Sequence, residues 1–150
     1  MLPSEVRANV LDDHGWLREL LGDVDEIARR VQQGDHALRS RLRQRTLAMR
    51  ERFLGHLELE ERQLLPALRD ADAWGEERAR RLEQEHAAQR ARFEALLQRL
   101  RTPRADPCRL ADEVRALIAD LLADMHEEER TLLRESVLHD DPIVPAQESD

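Results

Sequence analysis

Apolar residues recur at intervals of three, four and seven along four long stretches of this chain, a periodicity typical of helices that bury one face. The first stretch runs from about Ser4 to Val31, and Ser4 is expected to cap it. Its apolar stripe consists of Val6, Val10, Leu17, Leu21, Val24 and Ala28. After a turn at Gly34 and Asp35, a second helix is predicted to continue to about Ala71. Its stripe consists of Leu38, Leu42, Met49, Phe53, Leu57 and Leu64.

The second half of the chain repeats this organisation. Residues 70–75 mix helix-stopping and turn-forming types, and a third helix is predicted between them and Pro103. A fourth helix is predicted from about Cys108 to Leu138, because Leu110, Val114, Leu117, Leu121, Met125 and Leu132 keep the same period. The short connections predict an all-α, antiparallel up-down-up-down four-helix bundle over residues 1–140, followed by a non-helical C-terminal tail over 141–150.

The composition agrees with one helical domain and limits the partners. Of the 150 residues, 41% are hydrophobic and 37% charged, with only 5 Gly and 6 Pro, which favours helix over strand. The formal net charge of −8 argues against nucleic acid or an anionic membrane surface as a partner. Cys108 is the single cysteine and no apolar stretch approaches the ~20 residues of a membrane span, so a cytoplasmic location is expected.

Two of the predicted helices carry a histidine and a carboxylate on one face. His56 and Glu60 lie four positions apart, and both project towards the apolar centre of the second helix. On the fourth helix, His126 and Glu129 lie three apart, with His126 nearer the margin of the stripe. The sequence leaves open whether Glu128 or Glu129 is the inward carboxylate.

The other two helices each bring one histidine to the interior. His14 lies on the buried stripe of the first helix, and His86 faces inward on the third with Glu85 and Gln89 beside it. In an antiparallel bundle the spacing of the four histidines returns them to a similar height, as a dinuclear metal site requires. Imidazole and carboxylate suit iron, manganese or zinc, of which iron is favoured, and inward thiolates that would suit copper(I) or an iron–sulfur cluster are lacking.

The chain also contains an imperfect internal echo. The segments beginning at His56 and His126 both lead into Glu-Arg-x-Leu-Leu, but the gap from histidine to that glutamate is five positions in the first and three in the second.

At these positions the chain resembles the hemerythrin-like family, or HHE cation-binding domains. That pattern has a histidine on helix one, His-x-x-x-Glu on helix two, a histidine on helix three, and a histidine with a following acid on helix four. The matching segments are Asp-Asp-His14, His56-Leu-Glu-Leu-Glu60, Gln-Glu-His86 and His126-Glu-Glu-Glu129. The resemblance spans roughly residues 5–135, the range over which the motifs occur in the family's order.

This resemblance implies a non-haem centre of two iron ions, oxo- or hydroxo-bridged. Glu60 and Glu129 would bridge the irons, and His14, His56, His86 and His126 would complete their coordination. An open position would take dioxygen, nitric oxide or peroxide, for storage, sensing, iron handling or peroxide decomposition. Binding or sensing is favoured over enzymatic turnover, which the sequence leaves open.

The chain departs from the family pattern at two positions. Arg90 stands where oxygen-binding hemerythrins commonly have a second histidine, and Arg130 and Thr131 stand where an acid is expected, four or five positions after His126. An arginine pointed at a dication would oppose its binding. The alternative hypothesis is therefore a metal-free bundle that serves as a protein interaction module, and the sequence leaves a homo-oligomer through exposed helix faces open.

Overall fold

Four long α-helices make up most of the computed structural model, which describes residues 1–102 and 106–141. They are α1 (Pro3–Gln32), α2 (Arg39–Ala71), α3 (Gly75–Arg101) and α4 (Pro107–Thr131), and a short 3₁₀ turn at His36–Leu38 precedes α2. The described ranges contain no strand, which confirms the all-α class. α1 packs against α2 and α4, and α2 packs against α3, as an up-down-up-down bundle requires.

The core consists of two apolar clusters with a polar layer between them. One cluster contains Leu17, Phe53, Phe93 and Leu121, together with the residues that continue their stripes away from the polar layer. The other is built around Val10, Leu64, Leu82 and Leu133. The buried polar side chains that separate the clusters come from all four helices, and they are His14, His56, Glu60, His86 and Glu128.

The fourth helix is shorter than its apolar pattern predicted. It ends at Thr131 instead of Leu138, and both Leu132 and Leu133 donate their backbone N–H to the carbonyl oxygen of Glu128. The chain then turns, and Val137 and Leu138 are buried in the second apolar cluster from outside any helix. The apolar residues after Thr131 are therefore buried, but from a turn and not from a helix.

The start of α1 contacts the described residues that follow α4. Ser4 does not cap α1, which begins at Pro3; its backbone N–H and hydroxyl instead donate to the carboxylate of Asp140. The predicted C-terminal tail lies outside the described residues from position 142 onwards. None of the described helices is long and apolar enough to cross a membrane.

The α2–α3 turn depends on a close backbone approach at Gly75. A methyl group at this position would overlap the carbonyl oxygens of Leu68 and Arg69 at the end of α2. Glycine therefore allows α3 to begin directly against α2, which sets the height of the α3 residues relative to the polar layer.

Candidate metal centre

Three helices bring four buried ligand atoms together in the polar layer. One atom each from His14, His56, Glu60 and Glu128 lies within 4.8 Å of all the others. Nε2 of His56 lies 2.5 Å from Oε1 of Glu60, and Nε2 of His14 lies 3.2 Å from Oε1 of Glu128. Two imidazoles and two carboxylates at this separation are a donor set suited to a divalent cation.

Carboxylates on the outer side of the layer orient both imidazoles. Nδ1 of His56 lies 2.7 Å from Oδ2 of Asp13, which also accepts from Arg52. Nδ1 of His14 lies 2.8 Å from Oε2 of Glu129. A carboxylate at Nδ1 favours the tautomer with its proton there, which leaves Nε2 free to bind a metal.

Several inward atoms of the layer are unsatisfied. Among residues 1–102 and 106–141, no hydrogen bond is made by Nε2 of His14, Oε2 of Glu60 or Oε1 of Glu128. The 3.2 Å approach of Nε2 of His14 to Oε1 of Glu128 does not have hydrogen-bond geometry. Both ring nitrogens of His86 are also without a hydrogen-bond partner within these ranges. Buried polar atoms in folded proteins are rarely left unpaired, and a shared cation would satisfy these converging atoms together.

The pKa values of the two buried glutamates are shifted in opposite directions. Burial, followed by the negative charge of Glu60, raises the pKa of Glu128 well above its usual range. Burial would also raise the pKa of Glu60, but contacts with His56, His86 and Glu128 outweigh it and hold that pKa well below the usual range. In the metal-free pair, Glu60 is therefore the carboxyl that ionises more readily and Glu128 the one that holds its proton more tightly.

The pKa values of the two histidines in the four-atom group are also shifted in opposite directions. Burial lowers the pKa of His14, and the hydrogen bond with Glu129 does not reverse this, so its imidazole is neutral at neutral pH. Burial would lower the pKa of His56 as well, but Glu60 and Asp13 outweigh it and the net shift is upward.

His86 lies at the edge of the four-atom group. Its Nε2 is 3.7 Å from Oε1 of Glu60 and its Nδ1 is 3.7 Å from Oε1 of Glu61, both too long for hydrogen bonds. Glu61 is held by Arg90. Arg90 therefore points away from the centre, contrary to the concern that it would face a dication, and acts on the carboxylate beside His86.

The sequence left open whether Glu128 or Glu129 faces inward: helix α4 presents Glu128 to the layer and not Glu129, the ligand that the resemblance implied. Glu129 lies towards the surface, where it binds Arg18 as well as His14. Met125 is buried on α4 and Glu128, three positions later, shares its face.

His126 is exposed, which corrects the expectation that it points inward. It follows the buried Met125 by one position, so the helix turns its side chain about 100° away from the core. Arg130 is likewise on the surface and pairs with Glu127, outside the centre. The roles of all these residues as metal ligands stay predictions.

The structure reveals a two-fold repeat in the layer between α1 and α3. The spacing of Asp13, His14 and Arg18 on α1 is the same as that of Glu85, His86 and Arg90 on α3. Arg18 holds Glu129 against His14, as Arg90 holds Glu61 beside His86.

Helices α2 and α4 complete this repeat and explain the imperfect echo. His56, Glu60 and Glu61 on α2 correspond in spacing to Asp124, Glu128 and Glu129 on α4. The echo is thus regular when it is counted from Asp124 instead of His126. Sequence analysis missed Asp124 because it took His126 as the ligand of the fourth helix, although the shared Glu-Glu-Arg-x-Leu-Leu ending contained the correct register.

Comparison with known proteins agrees with this arrangement. A family model described as the hemerythrin HHE cation binding domain matches residues 6–135. Searches of curated proteins and of solved structures gave no match.

Proposed function

Because the chain belongs to the hemerythrin HHE cation-binding domain family, we propose that its polar layer holds a non-haem di-iron centre. The centre would bind or sense dioxygen, or nitric oxide or peroxide, or serve in iron handling. The observation that carries the proposal is the convergence of ligand atoms from His14, His56, Glu60 and Glu128, several of them buried without a partner in the described part of the chain.

The donor set supports iron and suggests how two ions would share it. Imidazole and carboxylate together suit iron, and the described cluster contains no thiolate. His14 and His56 would hold one ion, and His86 would hold the other. Glu60 and Glu128 are the two buried carboxylates between these histidines, so they are the residues suited to contact both ions.

Each residue of the centre has a defined task in this proposal. Iron, when bound, supplies electrons and an open coordination position for a diatomic ligand. Asp13 and Glu129 hold the imidazoles of His56 and His14 in place through Nδ1. Oε1 or Oε2 of Glu128 carries the proton of the metal-free pair and releases it when a cation binds.

Apolar side chains exclude water from one side of the layer. The ring of Phe53 lies edge-on to His56 with centroids 5.6 Å apart, and it packs in turn against Phe93. Both phenylalanines are fully buried. A dry wall of this kind slows loss of electrons from iron to solvent-borne oxidants and favours binding over turnover.

Metal content tests the proposal directly. Protein produced with iron and purified without chelator should contain about two irons per chain, the number that the two histidine ends provide for. Glu60→Gln should lose most of this iron, whereas Glu58→Gln, an exposed change two residues away on α2, should keep it. Wild-type protein that is helical but takes up no ferrous iron without air would overturn the proposal.

The alternative is a metal-free interaction module. Its support in the sequence was Arg90 and Arg130, but these side chains pair with Glu61 and Glu127 and do not neutralise the buried glutamates. The metal-binding proposal is therefore the one favoured.

A further inference from the structure

The two ends of the centre differ in chemistry. We propose that the end at His86 is an oxygen-rich cation position completed by Asp124, which binds a divalent cation after, and more weakly than, the end at His14 and His56. This inference rests on the proposed function and deepens it, since it assigns an unequal role to each half of the same centre.

The two-fold repeat identifies Asp124 as the residue that replaces an imidazole. His56 lies one turn before Glu60 on α2, and Asp124 lies one turn before Glu128 on α4. His14 and His86 are equivalent in the repeat, so the first end has two imidazoles and the second has one imidazole and one carboxylate. A search for histidines alone would not find this position.

Gln89 is a buried hydrogen-bond partner of Asp124, the residue that replaces the imidazole. Nε2 of Gln89 donates to Oδ2 of Asp124 at 3.0 Å, and the Gln89 side chain is 7% exposed. Its Oε1 is buried without a hydrogen-bond partner in the described residues. At the equivalent position of α1 the chain has Leu17, a fully buried apolar residue.

A buried amide in place of leucine is costly unless it serves a partner. Here the leucine and histidine of one half, Leu17 and His56, are replaced in the other half by an amide and a carboxylate, Gln89 and Asp124. The hydrogen bond between them fixes the orientation of Asp124 as Asp13 fixes that of His56. The unpaired Oε1 of Gln89 adds a further oxygen donor at this end.

The oxygen-rich end is reached from the surface between α3 and α4. A cavity of about 370 Å³ between these helices is lined by Glu85, Asp124 and Glu128, among others. A neighbouring cavity is lined by Glu85, Gln89 and Asp124. The imidazole end, by contrast, is built on His14 and His56, which are fully buried. Arg78 and Arg81 also line the first cavity, but they pair with Asp72 and Glu77, so a hydrated cation can approach the Asp124 end along the carboxylates.

Ligand chemistry predicts how the two ends differ. Imidazoles favour Fe²⁺, Co²⁺ and Zn²⁺, whereas carboxylate and amide oxygens favour Mn²⁺. The first equivalent of Co²⁺ should therefore bind at His14 and His56, and the second should bind at least about tenfold more weakly. Mn²⁺ should show a smaller difference between the two steps.

The test is an anaerobic titration of the metal-free full chain with each metal. Co²⁺ binding is monitored by visible absorption and calorimetry, and Mn²⁺ binding is monitored by electron paramagnetic resonance. Asp124→Ala should lose the weaker step and keep the tighter one. Asp124→His should strengthen the second Co²⁺ step and weaken Mn²⁺ binding there. Asp112→Asn, an exposed change about three turns before Asp124 on α4, is the matched control and should leave both steps unchanged.

The outcomes separate this inference from the function on which it rests. Two steps that Asp124→Ala weakens equally, or leaves intact in a protein with wild-type circular dichroism, would overturn the inference and leave the metal centre standing. A single equivalent in the wild type that Asp124→Ala does not affect would also overturn it. Wild-type protein that binds neither metal would contradict both.

Discussion

Nε2 of His56 lies 2.5 Å from Oε1 of Glu60, one turn later on α2, and both side chains are only 1% exposed. A buried ion pair of this kind is costly to break from one side, because the remaining partner keeps its desolvation penalty.

Removing Glu60 should destabilise the metal-free protein as well as abolish metal binding. Glu60→Ala is expected to lower the free energy of unfolding by about 3 kcal/mol, because it leaves His56 buried without its partner. Urea unfolding followed by circular dichroism measures this change. Glu58→Ala is the control, and an equal loss in both variants would contradict the account.

The stability of the metal-free protein should depend on the ionisation of Glu85. Burial, and then the charges of Asp124, Glu60 and Glu127, raise the pKa of Glu85 to about 7. A carboxyl whose pKa is raised by folding is stabilising below its unfolded pKa of about 4.3, and that contribution is lost as the pH rises through about 7.

Glu85→Gln should therefore stabilise the metal-free protein at pH 8 by about 1 kcal/mol, a value discounted because the side chain is half-buried. This corresponds to a rise in Tm of about 2–4 °C. At pH 4 the variant and the wild type should unfold at similar temperatures. A gain that is the same at both pH values would show that charge is not its cause.

The prediction of four helices, each with one buried apolar stripe, was confirmed. Many positions along each helix support the periodicity, so the prediction does not depend on any single residue. The inward positions of His14, His56, Glu60 and His86 followed from the same stripes. The fourth helix was predicted to run to about Leu138 but ends at Thr131, and Val137 and Leu138 are buried from a turn instead.

The register of the α4 ligands was harder to predict, because three glutamates follow His126 directly and any of them could face inward. Only packing decides between Glu128 and Glu129, through the partners Arg18 and His14 that hold Glu129 outside. These partners come from α1, more than a hundred positions away, and no local pattern on α4 encodes them.

Arg18 and Arg90 should each support one end of the centre through a carboxylate. Arg18→Ala is expected to weaken the tighter Co²⁺ step about 10-fold by releasing Glu129 from His14, and Arg90→Ala to weaken the second step similarly through Glu61. Arg130→Ala, which breaks a surface pair with Glu127, should change neither step. Calorimetric titration of the three variants decides; equal effects in all three would contradict the assigned roles.

Gly75 should be intolerant of a side chain. Gly75→Ala is expected to destabilise the protein by about 1–3 kcal/mol, because its methyl group would overlap the backbone at the end of α2. Gly55→Ala, in the middle of α2 with no described atom within 4 Å of the added methyl group, should instead stabilise by about 0.5–1 kcal/mol. Chemical denaturation compares the two, and similar changes in both would contradict the close approach at Gly75.

The central claim is that the layer between the two apolar clusters holds iron. Anomalous diffraction at the iron absorption edge, from crystals of the protein loaded with ferrous iron without air, locates the metal directly. The account predicts a strong anomalous peak among His14, His56, Glu60 and Glu128, and a second, weaker one on the side of His86 and Asp124. Iron-loaded crystals with no peak in this layer, or with peaks at surface carboxylates alone, would contradict it.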